Sequence, residues 1–137
     1  MKDSAEVTEP HPDPVPYVLV VDDDPHMARM AELTLLGHGY RTQVACHPSQ
    51  ALDHLKNERP DVTLLDVVMP EMDGFELLAQ MQSYGIAPSS VIMMSGLASK
   101  DDMEQARAAG IYSYLKKPFT RQDMLFAISE CLGMNRQ

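Results

Sequence analysis

Five short runs of mostly apolar residues, each followed by a stretch with helical spacing, limit how this chain can fold. The runs are Tyr17–Val21 (YVLVV), Arg41–Cys46 (RTQVAC), Val62–Leu65 (VTLL), Val91–Met94 (VIMM) and Tyr112–Leu115 (YSYL). A run that is apolar at every position reads as a strand covered on both faces. Between and after the runs, apolar residues recur three and four apart, the spacing of a helix with one buried face. Asp24 caps the first helix, which opens on Pro25 and ends at Gly37 or Gly39. Its expected inward stripe is Met27, Met30, Ala31, Thr34 and Leu35. The second runs over Pro48–Glu58 with Leu52 and Leu55 inward, until Pro60 breaks it. Gly74–Ser83 buries Phe75, Leu78 and Met81, and Lys100–Ala109 makes the fourth. Thr120–Leu132 is the last, with Leu125, Ile128 and Leu132 on one side and Gly133 as its stop.

Strict alternation of strand and helix implies an α/β fold with a parallel sheet and helices on both faces. The first, third and fourth runs are almost wholly apolar, whereas the second carries Thr42 and Gln43 and the fifth Ser113. The mixed runs suit the edges. That predicts a doubly wound, flavodoxin-like sheet in the order 2-1-3-4-5, with ligands beyond the carboxyl ends of the strands. Residues 17–133 form this domain. Residues 1–16, with four prolines and four acidic residues, read as a disordered Pro-rich acidic arm, and 134–137 as a C-terminal tail.

With 11 Lys+Arg against 20 Asp+Glu, the net charge of -9 argues against direct binding of nucleic acid or a membrane surface by this domain. Two cysteines, Cys46 and Cys131, without a CxxC pair, point to reduced thiols. No apolar run is long enough to span a bilayer, and the amino terminus lacks the regions of a signal peptide, so a cytoplasmic location is expected. His26, His38, His47 and His54 read as solvated.

In a parallel sheet the strand ends share one rim. Here they carry Asp22-Asp23, Asp66, Ser95 and Lys116-Lys117-Pro118. Two carboxylates about 5 Å apart at an effective dielectric near 20 repel by roughly 3 kcal/mol, a penalty that a divalent cation removes. The donors are all oxygens, and an open site with room for waters suits Mg²⁺ better than Ca²⁺ or zinc. Asp24 fits helix capping better than metal binding.

The stretches VLVVDDDP, LLDVVMPEMDG, VIMMSG and YLKKPF, in this order and spacing, resemble the response-regulator receiver domains of bacterial two-component signalling. The resemblance covers residues 17 to 132. It implies that Asp66 accepts a phosphoryl group from a sensor histidine kinase or a histidine phosphotransfer protein. It implies that Asp22, Asp23, Asp66 and the Val68 backbone carbonyl hold Mg²⁺, that Ser95 bonds a phosphoryl oxygen, and that Lys117, before a cis Pro118, pairs with the phosphoacceptor. Tyr114 is either an edge-strand aromatic packed on the last helix or a switch that turns inward when Ser95 moves.

Val68 and Leu97, two residues after Asp66 and Ser95, are expected to flank the path of a hydrolytic water. As apolar groups they favour slow autodephosphorylation and a sustained output such as transcription. The resemblance makes the chain a signalling phosphoacceptor that promotes its own phosphorylation and dephosphorylation. Its output domain or target is unknown, a stand-alone receiver and the amino-terminal part of a longer regulator are both open, and so is phosphorylation-dependent homodimerisation. The fourth helix, fifth strand and fifth helix would form the output surface, without the charge pattern of the winged-helix class. Two other readings are a phosphorylation-independent interaction domain and an aspartyl-nucleophile phosphatase. The latter would want a D-x-D motif after the first strand and a cap to hold substrate; here the acidic pair is adjacent, and no insertion could form a cap.

Overall fold

A computed structural model describes residues 15–96 and 99–135 of the chain. Its strands are β1 (Tyr17–Val21), β2 (Arg41–Ala45), β3 (Val62–Asp66), β4 (Val91–Ser95) and β5 (Ser113–Lys116). All pair in parallel in the order β2-β1-β3-β4-β5. The helices are α1 (Pro25–Gly37), α2 (Pro48–Asn57), α3 (Gly74–Ser83), α4 (Lys100–Ala109) and α5 (Arg121–Asn135), with a 3-10 turn at Pro88–Ser90. The flavodoxin-like topology is therefore the expected one. Every residue of β1, β3 and β4 is buried, whereas β2 and β5 are partly exposed. The most apolar strands lie at the centre because both of their faces lose water there.

The sheet divides the core in two. Leu19, Val21, Leu65 and Met93 face one way, against Ala51 and Leu55 of α2, Leu77, Leu78 and Met81 of α3, and Ala106 of α4. Val18, Val20, Leu64, Ile92 and Met94 face the other, against Leu35 of α1 and Met124, Ile128 and Cys131 of α5. Neighbouring strand residues point to opposite layers, so each apolar strand serves both cores.

Several local expectations need correction. In α1 the buried residues are Ala28 and Leu35, while Met27 and Met30 are exposed. The Asp24 side chain accepts from the His26 N–H at 3.0 Å, and with Pro25 it sets the phase of the helix. That phase turns small Ala28, which lets α1 approach the sheet, inward. In α3 Leu77 and the expected Met81 are fully buried, whereas Phe75 is only partly buried against the core. Helix α5 continues through Gly133 to Asn135, because no left-handed turn forms there. The first fourteen residues of the expected arm lie outside the described residues, as do Leu97, Ala98, Arg136 and Gln137. Cys46 and Cys131 are not joined in a disulfide, and no described helix is long and apolar enough to cross a membrane.

The α5 layer yields a direct contrast. Ile128 is fully buried and Phe126 is 68% exposed. Ile128→Ala is expected to cost about 2–5 kcal/mol. Phe126→Ala, two residues earlier, should stay within about 0.5 kcal/mol. Urea unfolding of both variants checks the assignment.

Candidate functional site

Parallel pairing brings the carboxyl ends of four strands to one rim. Asp22 follows β1, Asp66 ends β3, Ser95 ends β4, and Lys117 follows β5. The ladders run on past the strands: Asp22 N–H donates to the Ala45 carbonyl, Val67 N–H to Met94 and Lys117 N–H to Ser95, at 2.9–3.0 Å. These bonds hold the loop bases in register with the sheet, so the side chains start from a rigid edge.

The Lys117 ammonium lies 3.1 Å from Asp22 Oδ2 and 3.6 Å from Asp66 Oδ2. Asp22 Oδ1 also accepts from the Asp24 N–H at 3.0 Å, and Asp66 Oδ1 from the Val68 N–H at 3.3 Å. Asp22, Asp23 and Asp66 each place a carboxylate oxygen within 4.8 Å of the other two. Asp22 and Asp66 are buried and Asp23 is exposed. An all-oxygen set with one open side fits a hard divalent cation that keeps some of its water. The Lys117–Pro118 bond is cis.

Burial and then the neighbouring Asp22 charge push Asp66 from its ordinary 3.8 up to about 7, against the opposing pull of Lys117 and the Val68 N–H. Burial alone would lower Lys117, but the carboxylates of Asp22 and Asp66 outweigh it and hold the ammonium above its usual value. The rim is thus poised around one proton, which a bound cation would displace.

Ser95 is buried at this rim. Tyr114 packs under α4 with Ala106 and Ala109 rather than on the last helix, which removes the expected α5 packing. Its hydroxyl is buried without a hydrogen bond of full geometry. Burial raises the phenol, and the nearby Ser95 hydroxyl offsets that rise in part. Val68 is 52% exposed beside Asp66, whereas Leu97 lies outside the described residues. Asp24 works as a cap, as expected. His54 is not simply solvated, since its Nε2 lies 3.0 Å from the Val44 carbonyl on the sheet edge.

Gly74 was undervalued by sequence reasoning. A Cβ on it would lie 2.7 Å from the Asp66 carbonyl oxygen and 2.8 Å from Val67 Cα. Its N–H donates to the Val67 carbonyl at 2.7 Å, so the loop after Asp66 folds tightly onto the start of α3. Asp73 and Glu76 form a reciprocal capping box that holds this start. The Asp73-Gly74 pair at the start of α3 is the signal for this tight loop in the sequence.

The family model of the response regulator receiver domain matches residues 18–129. The chain belongs to that family. It is 31% identical over 118 residues to the DNA-binding response regulator MtrA of Mycolicibacterium smegmatis, covering 86% of this chain and 51% of that protein. It is 31% identical to the regulatory protein AtoC of Escherichia coli, over 85% of this chain and 25% of the relative. The receiver domain thus spans about half the length, or less, of the curated relatives it matches. A CheY-like receiver domain protein from Methanospirillum hungatei superposes with a TM-score of 0.81 at 29% identity, covering 90% of this chain and 98% of that one. Chemotaxis protein CheY4 of Vibrio cholerae gives 0.78 at 32% identity, with 87% and 100% covered.

The proton on Asp66 makes a pH prediction for the receiver. Its folded-state value lies above its ordinary one, so the folded state holds the proton more tightly than the unfolded chain. Asp66's contribution to stability is then complete below pH 3.8 and is lost as pH rises through about 7. Carbon NMR of the metal-free protein should show the Asp66 carboxyl titrating near 7, lower in Asp22→Asn and higher in Lys117→Met. An ordinary carboxylate titration in wild type would contradict the geometry.

Proposed function

We propose that this receiver is the phosphoacceptor of a two-component system, with Asp66 taking a phosphoryl group from the phosphohistidine of a sensor histidine kinase or a histidine phosphotransfer protein. The observation that carries the reading is the Lys117 ammonium set between Asp22 and Asp66, 3.1 and 3.6 Å away. A salt bridge alone would need one carboxylate. Three beside one ammonium leave excess negative charge, which suits a site built to take a cation and a phosphoryl group.

An Asp66 carboxylate oxygen forms the new bond to phosphorus while the donor's phosphorus–nitrogen bond breaks, and the imidazole leaves with a proton. Asp22, Asp23, Asp66 and the Val68 carbonyl would hold Mg²⁺, whose contribution is to neutralise charge on the phosphoryl oxygens. Lys117 stays protonated and positions the nucleophile through its contact with Asp66. Ser95, buried at the same rim, offers its hydroxyl to a phosphoryl oxygen. Tyr114, with its hydroxyl buried near Ser95, transmits that shift toward α4 and β5, biasing a two-state equilibrium of the α4, β5 and α5 surface. The setting is the cytoplasm, and the receiver accelerates both gain and loss of its own phosphoryl group. What it controls belongs to an attached output domain or a separate target.

Incubation with acetyl phosphate and Mg²⁺, followed by intact mass, tests this. Wild type should gain one phosphoryl group, Asp24→Ala should gain it too, and Asp66→Asn should gain none. Turnover without retention would favour a phosphatase, and no reaction a phosphorylation-independent interaction domain.

Val68 and Leu97 set the lifetime of the signal. A valine that is 52% exposed beside Asp66 covers the approach of an in-line water without holding it by a hydrogen bond. Decay of the labelled protein should be slow, and the double variant Val68→Asn with Leu97→Glu should lose phosphate faster. Equal decay in the two proteins would remove these residues from the account.

A further inference from the structure

The loop after β2 carries two side chains that the phosphoacceptor reading leaves without a use. Cys46 and His47 follow one another there, and His47 stands at the N-cap of α2 without a side-chain bond to the helix. An N-cap is usually a Ser, Thr, Asp or Asn whose oxygen serves the helix. The His47 ring instead sets Nδ1 3.7 Å from Glu71 Oε1, on the loop after β3. That is too long for a hydrogen bond. Two ligand atoms about 2.1 Å from one tetrahedral ion stand roughly 3.4 Å apart, so the pair is close to the spacing that a shared metal imposes.

Both side chains border a cavity of about 110 Å³, and Cys46 and Asp23 border it too. The loops after β1, β2 and β3 thus each bring a metal donor to one place. The Cys46 N–H donates to Gln50 Oε1 at 2.8 Å, and the N–H groups of Gln50 and Ala51 donate to the His47 carbonyl. These bonds fix the backbone of Cys46 and His47 and involve neither the sulfur nor the imidazole. Burial, and then the charges of Asp22, Asp23 and Asp24, raise the Cys46 thiol, so this sulfur lies within the field of the rim. We propose that Asp23, Cys46, His47 and Glu71 form a second metal site, for a borderline transition-metal ion of the Zn²⁺ class.

The donor set selects the ion. One nitrogen, one sulfur and two carboxylates suit Zn²⁺ in tetrahedral geometry, whereas Mg²⁺ demands hard oxygen ligands in an octahedron. Among the described residues only Asp22, Asp23 and Asp66 are already drawn together. The second set therefore closes on its ion by rotation of the exposed His47 and Glu71 side chains. The Cys46 S–H bond breaks as the sulfur–metal bond forms, and the proton passes to solvent. Asp23 belongs to both sets, so the two ions compete for it. Resting on the phosphoacceptor reading, occupancy of the second site withdraws a ligand from the rim and slows phosphorylation without blocking Asp66.

Co²⁺ titrated into the metal-free full chain tests the site. One equivalent should bind with the near-ultraviolet sulfur-to-cobalt absorption of a thiolate ligand, and Zn²⁺ should displace it. Cys46→Ser should abolish that absorption. His47→Ala, which removes no capping bond, should weaken Co²⁺ binding about tenfold or more. Zn²⁺ added to the Mg²⁺-loaded protein should slow acetyl phosphate labelling severalfold in wild type and leave Cys46→Ser unchanged. Absence of the sulfur absorption, unchanged affinity in His47→Ala, or equal slowing in wild type and Cys46→Ser overturns the proposal. A wild type that takes no phosphate even without Zn²⁺ would instead defeat the phosphoacceptor reading, and the cobalt titration would still decide the second site.

Discussion

The contact on which the rim depends is the Lys117 ammonium held against two buried carboxylates, Asp22 and Asp66. Carboxylates this close and this dry repel each other strongly unless a positive charge sits between them. The ammonium arrives from the far edge of the sheet, just after β5, and meets a carboxylate that follows the second strand in from the opposite edge. Only a sheet in which β3 and β4 separate β1 from β5, with every strand pointing the same way, brings them together. Strand order, parallel pairing and the electrostatics of the site are thus one constraint seen at three scales.

Much of this was legible in the sequence because it rests on periodicity. Almost wholly apolar runs marked the central strands, Thr42, Gln43 and Ser113 marked the edges, and a shared rim followed from parallel pairing. The parts that were not legible depend on helix phase and on backbone contacts. Met27 and Met30 have the hydropathy of core residues, yet the Asp24 cap and Pro25 start α1 at an angle that buries Ala28 instead. Leu77 and Phe75 are both apolar, and only packing against β3 and α2 decides that the leucine goes deepest. Gly133 carried no stop because a glycine ends a helix only when the chain beyond it turns. Gly74 could be valued correctly only once the Asp66 carbonyl was seen 2.7 Å from where a Cβ would stand.

The site is also linked to the core through Tyr114. Its ring packs with α4 and its hydroxyl ends near Ser95, so one side chain touches both the rim and the helix layer. A buried phenol without a full hydrogen bond is under-satisfied, and such a group responds to any movement of the nearest hydroxyl. In the proposed reading, Tyr114 would carry a small shift of Ser95 at the rim into the packing beneath α4.

The proton on Asp66 unites binding with reactivity. Burial and Asp22 push this carboxyl up to about 7, so near neutral pH it stands between a protonated, unreactive group and an ionised nucleophile. Ligation of a divalent cation requires the ionised form, and so does attack on phosphorus. In the proposed reading the two requirements coincide: the cation that offsets the repulsion among Asp22, Asp23 and Asp66 also releases the proton that would block transfer. Lys117 contributes the same bias from the other side, since an ammonium 3.6 Å away favours the carboxylate over the acid. In that reading the unfavourable cluster of like charges at the end of β1 would make Asp66 reactive only with a cation bound.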